Sequence, residues 1–448
     1  MANQRLKAQE SSVKLRLAVI GGGAAGFFGA IAAAFANPTA QVTLYEAGPE
    51  PLAKVRISGG GRCNVTHHCF EPAQMVSNYP RGGKALRGAF SRFQPKDTVA
   101  WFADWGVWLK TEADGRMFPT TDDSATIVNC LTGAARKAGV QLKTRSPVVG
   151  VERVEDQFHL QLRAQAGYAT CDRLLLATGS SPAGYRMAKS LGHTLASPVP
   201  SLFTFNIPDK RLHQLSGVAV NPVTVKLKAE GIKPSGQNGL IQTGPLLVTH
   251  WGMSGPAVLK LSAWGARVLH ERRYQAALMV NWLPDMTPDQ VRATLQQAKA
   301  ENNKRTIATF SPLVPISKRL WQYLLARVEI DPTLTWANVS KKHVNKLVQE
   351  ISQGSYSVTG KGSFKDEFVT CGGVRLKEVN FKTMESRQCK GLYFAGEILD
   401  IDGVTGGFNF QSAWTTGWLA AQSLSQPLPS IDHTSHRTSH HKNNRTSE

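Results

Sequence analysis

The chain has 448 residues, 42% of them hydrophobic, and carries 52 basic against 32 acidic side chains, a formal charge of +20. That length predicts two or three domains, and the lack of any apolar run near 18 residues argues against a helical membrane span. Residues 1–16 hold only +3 and residues 431–448 only +1, so the middle keeps +16, a balance that suits a polyanion such as nucleic acid as well as it suits plain solubility.

Residues 1–14 are polar, lack an apolar signal core and are expected to be disordered. Leu15, Leu17, Val19 and Ile20 then read as a buried parallel strand. The turn GGGAAG follows at 21–26, then an alanine-rich segment that suits a helix packed close to a sheet. A second apolar run ends on Glu46, 20 positions after Gly26. This is the pattern of a dinucleotide cradle. Gly21 permits the tight turn, Gly23 lets backbone approach a pyrophosphate, and Gly26 lets helix and strand touch. The helix N-terminus attracts phosphate, and Glu46 is placed to bind a ribose.

SGGGRCNVT at 58–66 has no strand before it and reads as a loop that can approach a ligand closely. Residues 81–96 hold Arg81, Lys84, Arg87, Arg92 and Lys96 with Phe90 and Phe93 interleaved. They read either as an amphipathic helix with a solvated face or as a phosphate-contacting edge. DGRMFP (114–119) is a turn, residues 124–137 a helix, and 140–143, 148–154 and 158–162 the strands of a small antiparallel ribbon. Another buried strand ends in Ala177, Thr178 and Gly179.

From 198 to 357 the composition changes to proline, tryptophan and short alternating runs, which predicts an antiparallel β-subdomain with helices at 286–300, 318–327 and 338–351. No second GxGxxG occurs there, and 299–346 carries a local charge of +6. FVTCGG (368–373), TMES (383–386) and GLYFAGE (391–397) resume the glycine-punctuated apolar pattern of the N-terminal part. TGGFNFQ (405–411) is a second glycine turn feeding a helix. The six cysteines (63, 69, 130, 171, 371 and 389) form no CxxC pair, so no metal is expected, and reduced thiols fit a cytoplasmic protein. The histidines at 433, 436, 440 and 441 fit a disordered tail better than a metal site.

Taken together, VIGGGAAG with Glu46, SGGGRCNVT, DGRMFP, ATG, THWGMSGPA (249–257), TMES and GLYFAGEILDIDGVTGGFNFQSAW resemble the BaiN/RdsA-like flavoproteins, over about 15–424. That family includes a ribosomal RNA dihydrouridine synthase, a bile-acid reductase and an aminoacetone oxidase. The resemblance implies an α/β fold: a glutathione-reductase-like FAD-binding Rossmann domain with an inserted antiparallel-β plus helical domain. The expected division is 15–195 with 358–424 for FAD, 196–357 for the insert, and disordered ends at 1–14 and 425–448. The implied FAD contacts are Gly21, Gly23, Ala25, Gly26, Glu46, Gly61, Arg62, Asn64, Ala177, Thr178, Gly179, Gly396, Glu397, Gly406, Gly407 and Asn409.

The function so implied is an oxidoreductase that takes electrons from NAD(P)H through FAD and reduces an activated C=C bond. Within the family, the charge favours a uridine in ribosomal RNA, which would become dihydrouridine. Hydride goes to C6 of the uracil and a positioned acid protonates C5. Cys63 is the candidate acid, with Arg62 beside it to lower the thiol pKa; the bland reading is a small buried side chain. Trp251 and Trp264 are candidates to hold an unstacked base, although core packing is the commoner role of tryptophan. The alternatives are a small-molecule flavoenzyme (an enone reductase or amine oxidase) and a non-catalytic flavin-containing RNA-binding or redox-sensing protein.

Overall fold

The structure is a computed structural model that describes residues 14–163, 167–228, 240–362 and 369–427. The expected disordered ends lie almost wholly outside the described residues, as does the His-rich tail.

The first core is built on a parallel sheet. Its strands are β1 (Arg16–Ile20), β2 (Gln41–Tyr45), β3 (Gln141–Lys143), β4 (Arg173–Leu176) and β5 (Leu392–Phe394), in the order β5-β4-β1-β2-β3. β1 pairs in parallel with both β4 and β2, so the sheet is closed from both ends of the sequence. Two short antiparallel strands, Glu385–Ser386 and Val379–Asn380, extend it beyond β5. Helices α1 (Ala24–Ala36) and α2 (Phe408–Leu424) pack together. The contact explains the small residues in α1. A Cβ on Gly417 would lie 2.7 Å from the Ala25 carbonyl oxygen, and one on Gly29 would lie 3.3 Å from the Gly417 oxygen. Only glycine at these two positions lets the backbones come so close. This is the expected Rossmann-type fold.

A second core follows the sheet of Ala219–Lys228, Ile241–Thr249, Ala276–Asn281 and Gly354–Val358, all antiparallel. Helices Pro256–Trp264, Pro288–Glu301, Lys318–Arg327 and Lys341–Gln353 cover one of its faces. Trp282, Trp321 and Trp336 are fully buried there, which accounts for the tryptophan in this stretch. The other face alternates outward along each strand, through Thr224, Lys226 and Lys228, and Ile241, Thr243 and Leu247. The chain leaves the first core along Leu195–Ser201 and returns along Val369–Val374, and these two segments pair antiparallel.

Four expectations change. Gln141–Lys143 joins the parallel sheet as β3, and the antiparallel ribbon consists of Val148–Val154, Gln157–Leu162 and Tyr168–Cys171. The basic run 81–96 splits: Phe90 and Phe93 are buried, Lys84, Arg87, Arg92 and Lys96 are exposed, and Arg81 is withdrawn from solvent. The Arg81 guanidinium grips Asp402, itself fully buried, and donates to the Ala263 carbonyl at 2.7 Å, so it joins the two cores and offers nothing to an external phosphate. The GRCN loop is preceded by a helical turn, Ala53–Gly61, broken at Ser58, Gly59 and Gly60. Trp251 is 61% exposed rather than in a core, because it lies in the tight connection between the paired strands Ile241–Thr249 and Gly252–Ser254.

Candidate functional site

The first glycine turn connects β1 to α1. Gly21 has φ +112°, and a Cβ there would stand 2.4 Å from the Ala177 oxygen at the end of β4. A Cβ on Gly26 would stand 1.9 Å from the Gly21 oxygen. Both glycines are demanded by protein packing. Gly23 is different: nothing lies within 4 Å of its would-be Cβ, and it caps α1 with no side-chain hydrogen bond. Its would-be Cβ position is thus open, at a helix N-terminus that favours an anion. Glu46 ends β2 beside this turn, with Oε2 accepting from Gly22 N at 2.8 Å and Oε1 from Gly48 N at 2.6 Å. Ala25 is buried and faces Gly396, whose Cβ would meet it at 2.8 Å.

The carboxyl ends of β4 and β5 form the next wall, where α/β folds place ligands. Ala177 is buried, Gly179 has φ +59°, and its would-be Cβ lies 3.6 Å from Glu397 Oε2. Glu397 accepts from Thr370 N at 2.8 Å and from Lys54 Nζ at 2.7 Å. Gly396 donates its N–H to Thr416 Oγ1 at 2.9 Å. Thr178 Oγ1 is buried with no partner among the described residues.

The third wall joins the GRCN loop to the second glycine turn. Gly407 has φ +91°, and a Cβ there would meet the Thr66 oxygen at 2.4 Å. The Asn64 amide, turned to satisfy its neighbours, accepts from Gly407 N at 2.9 Å and donates to the Thr66 oxygen at 3.0 Å. His67 Nδ1 bonds the Gly406 oxygen at 2.9 Å, and the ring stacks on Phe408 at 4.6 Å. Burial lowers the His67 pKa, against the pull of that carbonyl. The Asn409 amide is spent inside its own loop, accepting from Gly403 N at 2.8 Å and donating to Gly403 O at 2.9 Å. It holds the turn's shape instead of presenting an amide outward.

Arg62 and Cys63 also differ from expectation. The Arg62 guanidinium bonds Glu112 at 2.6 Å, reaches Asp122 at 3.4 Å and lies over the Phe118 ring at 4.0 Å. It does not lower the neighbouring thiol. Cys63 is fully buried, in a left-handed backbone conformation at φ +60°, and burial pushes its thiol up to about 12. Gly61 and Gly60, by contrast, have nothing within 4 Å of their would-be Cβ atoms.

Sequence patterns thus bring together Gly21, Gly23, Gly26, Glu46, Ala177, Gly179, Gly396 and Glu397, and separately Asn64, Gly406 and Gly407. They missed Lys54, which has no motif signal, and the pairing of His67 with Gly406, which joins segments far apart in the chain. Among the described residues no cluster of three or more metal-ligating side chains occurs, and no helix is long and apolar enough to cross a membrane.

Known proteins are similar to this chain over most of its length. A family profile described as the HI0933-like protein Rossmann domain matches residues 15–423. The ribosomal RNA dihydrouridine synthase of Escherichia coli is 33% identical over 422 residues, 91% of this chain and 97% of that protein. The ribosomal RNA dihydrouridine synthase of Haemophilus influenzae is 31% identical, over 91% of this chain and 98% of that protein. The 3-dehydro-bile acid delta(4,6)-reductase of Clostridium scindens is 29% identical, over 92% of this chain and 99% of that protein.

Proposed function

The chain belongs to the HI0933-like Rossmann family, and on that premise we propose that it is an FAD-dependent oxidoreductase that reduces a uridine of ribosomal RNA to dihydrouridine with NAD(P)H as reductant. The residues present fit FAD. Nothing lies within 4 Å of the would-be Cβ atoms of Gly23, Gly60 and Gly61, and the Glu46 carboxylate stands beside the first turn. When bound, the flavin supplies the hydride chemistry. Gly21, Gly23, Ala25 and Gly26 would cradle the pyrophosphate, Glu46 would take the adenosine ribose, and Gly396 and Glu397, with Ala177, Thr178 and Gly179, would hold the middle of the cofactor. Gly61, Arg62 and Asn64 would back it, and Gly406, Gly407 and Asn409 would shape the wall at its ring, near the partial positive charge of the α2 N-terminus.

Similarity to two ribosomal RNA dihydrouridine synthases over 91% of this chain carries the substrate assignment. The charge of +20, the exposed Lys84, Arg87 and Lys96, and the exposed Trp251 ring support it, because a base in folded RNA must be unstacked and held. A ribosomal substrate also implies the cytoplasm. The similarity to a bile-acid reductase favours a second reading, a small enone as substrate. Nucleoside mass spectrometry of ribosomal RNA from a deletion strain separates the two: loss of one dihydrouridine is expected, and an unchanged content removes the RNA reading.

Cys63 is the proposed acid for C5. Burial keeps its thiol protonated at neutral pH. Cys63→Ala is expected to keep FAD and accept electrons from NAD(P)H while losing most product. Product at the wild-type rate, with FAD bound, would leave Cys63 a packing residue.

A further inference from the structure

The first core carries a groove of about 490 Å³, lined among others by Ala73, Val76, Tyr79, Gly82, Lys84 and Leu376. That volume falls within the roughly 300–1,000 Å³ of small-ligand sites, and none of the residues proposed to contact FAD lines it. Two lining residues and a neighbour hold it against the loop that leads into the second glycine turn. Tyr79 Oη donates to the Phe408 carbonyl at 2.6 Å, and the Asn78 carbonyl accepts from Val404 N at 2.9 Å. A Cβ on Gly82 would come within 2.5 Å of Ile401.

The rim of this groove is basic. The helix Gly83–Phe90 starts at it and carries Lys84 and Arg87, three positions apart and so on one face. Leu376 brings in a second segment, Leu376–Glu378, with Lys377 next to it in the chain. Just past the helix, Arg92 donates to the Lys382 carbonyl and lies 5.9 Å from the Trp418 ring, which fastens residue 382 alongside. Lys84, Arg87, Arg92, Lys377 and Lys382 are all exposed, and among the described residues none of them is in an ion pair. Most carboxylates in and beside these segments are already engaged. Asp402 is gripped by Arg81, and Asp97 accepts from Gln94 N at 2.8 Å. Glu378 accepts from Thr194 N and Glu385 from Gly391 N, each at 2.9 Å, while Glu71 is exposed. Uncompensated cations around a largely apolar groove suit a chain with phosphates for the rim and an uncharged ring for the groove, which is the chemistry of a nucleic-acid strand.

We propose that this face seats a strand of the ribosomal RNA substrate, with phosphates on Lys84, Arg87, Lys377 and Lys382 and one nucleoside in the groove. This rests on the reading that the substrate is ribosomal RNA. It turns part of the chain's excess charge into a defined docking surface, and it sets that surface against the back of the loop that shapes the second turn.

The test uses the full-length, FAD-loaded protein and three variants. Lys84→Gln with Arg87→Gln removes two rim charges. Ala73→Trp fills the groove from an exposed lining residue without changing charge. Lys341→Gln with Lys342→Gln removes the same charge from exposed positions on the second core, as a control. FAD content and thermal midpoint establish that each is folded, and binding of purified ribosomal RNA is titrated between about 50 and 200 mM salt. The rim pair is expected to bind about tenfold more weakly at about 100 mM salt, with a plot of log K against log salt shallower by about 1.4, two contacts at about 0.7 each. Ala73→Trp is expected to bind more weakly with the wild-type slope, and the control to bind like wild type. Wild-type affinity and slope in the rim pair would overturn the inference. So would an equal loss in the control, which marks the field of the whole chain, or wild-type affinity in folded Ala73→Trp, which leaves the groove empty. Failure of the parent reading looks different: the wild-type protein then binds no ribosomal RNA even at the lowest salt, or ribosomal RNA from a deletion strain keeps its dihydrouridine, and this inference falls with it.

Discussion

Two glycine turns each feed a helix, and they are built in opposite ways. At the first, Gly21 to Gly26, side chains are nearly absent and the backbone is the working surface. Gly21, Gly22 and Gly26 are forced by protein contacts, while Gly23 faces empty space. At the second, Gly406 and Gly407, the backbone is gripped on several sides. Asn64 takes the Gly407 N–H, His67 bonds the Gly406 carbonyl, and Asn409 ties the approach loop to Gly403. The first turn is suited to a polyanion that only needs N–H groups and a dipole. The second is suited to fixing the position of α2 against whatever lies over the GRCN loop. A glycine-rich motif is thus two different devices, and the neighbours of each would-be Cβ tell which.

The largest expected effects come from setting two glycines of the first turn against each other. Gly26→Ala puts a Cβ 1.9 Å from the Gly21 oxygen, so the backbone must shift. Overpacking of this kind costs about 1–3 kcal/mol, and the cofactor-free protein should melt clearly lower. Gly23→Ala meets nothing within 4 Å. Its cofactor-free stability should change by less than about 1 kcal/mol, while FAD affinity falls at least about tenfold. Calorimetry with and without FAD reads both. If Gly23→Ala binds FAD like wild type, the first turn is not the pyrophosphate cradle.

The next effect belongs to the second turn. Asn64→Leu removes the acceptor of Gly407 N and the donor to the Thr66 oxygen, leaving buried backbone groups unpaired. The cost is expected to be about 1–3 kcal/mol, visible in the cofactor-free protein, which is the reverse of Gly23→Ala. An unchanged melting midpoint would erase the contrast between the turns.

The same contrast explains what could be read from sequence. The first turn is local: strand, glycines, helix and Glu46 fall within one short stretch, so spacing alone carries it. Helices such as Ser124–Lys137 and Lys318–Arg327 were legible for the same reason, as their apolar faces repeat within their own length. The second turn is assembled from positions such as Asn64 and Gly407, and no local spacing couples them. Arg81 reads as surface charge because nothing near it in sequence announces Asp402. Arg62 reads as an influence on Cys63 because neighbours in sequence suggest neighbouring charge, whereas its guanidinium points to Glu112. The open face of the second sheet and the exposure of Trp251 depend on which helices cover which side, a tertiary property that alternation does not specify.

The smallest predicted effect is a pH dependence confined to the second turn. His67 donates through Nδ1 to the Gly406 carbonyl in its neutral form, and burial lowers its pKa from the ordinary 6.5. Asp114 pulls the other way, while Lys260 and His68 reinforce the lowering. Between the folded pKa and 6.5 the unfolded chain therefore binds more protons than the folded one, so stability rises with pH across that window. The contribution is complete above 6.5 and is lost as pH falls below it. His67→Gln removes the titration. The difference in cofactor-free stability between wild type and His67→Gln should therefore shift against wild type as pH falls from 7 to 5, by about 1 kcal/mol for each unit of lowered pKa. Comparing the two proteins cancels the other histidines, including the buried His193, whose pKa burial also lowers. A difference that stays flat with pH would mean that the second turn does not hold His67 neutral, and that its grip on α2 rests on Asn64 and Asn409 alone.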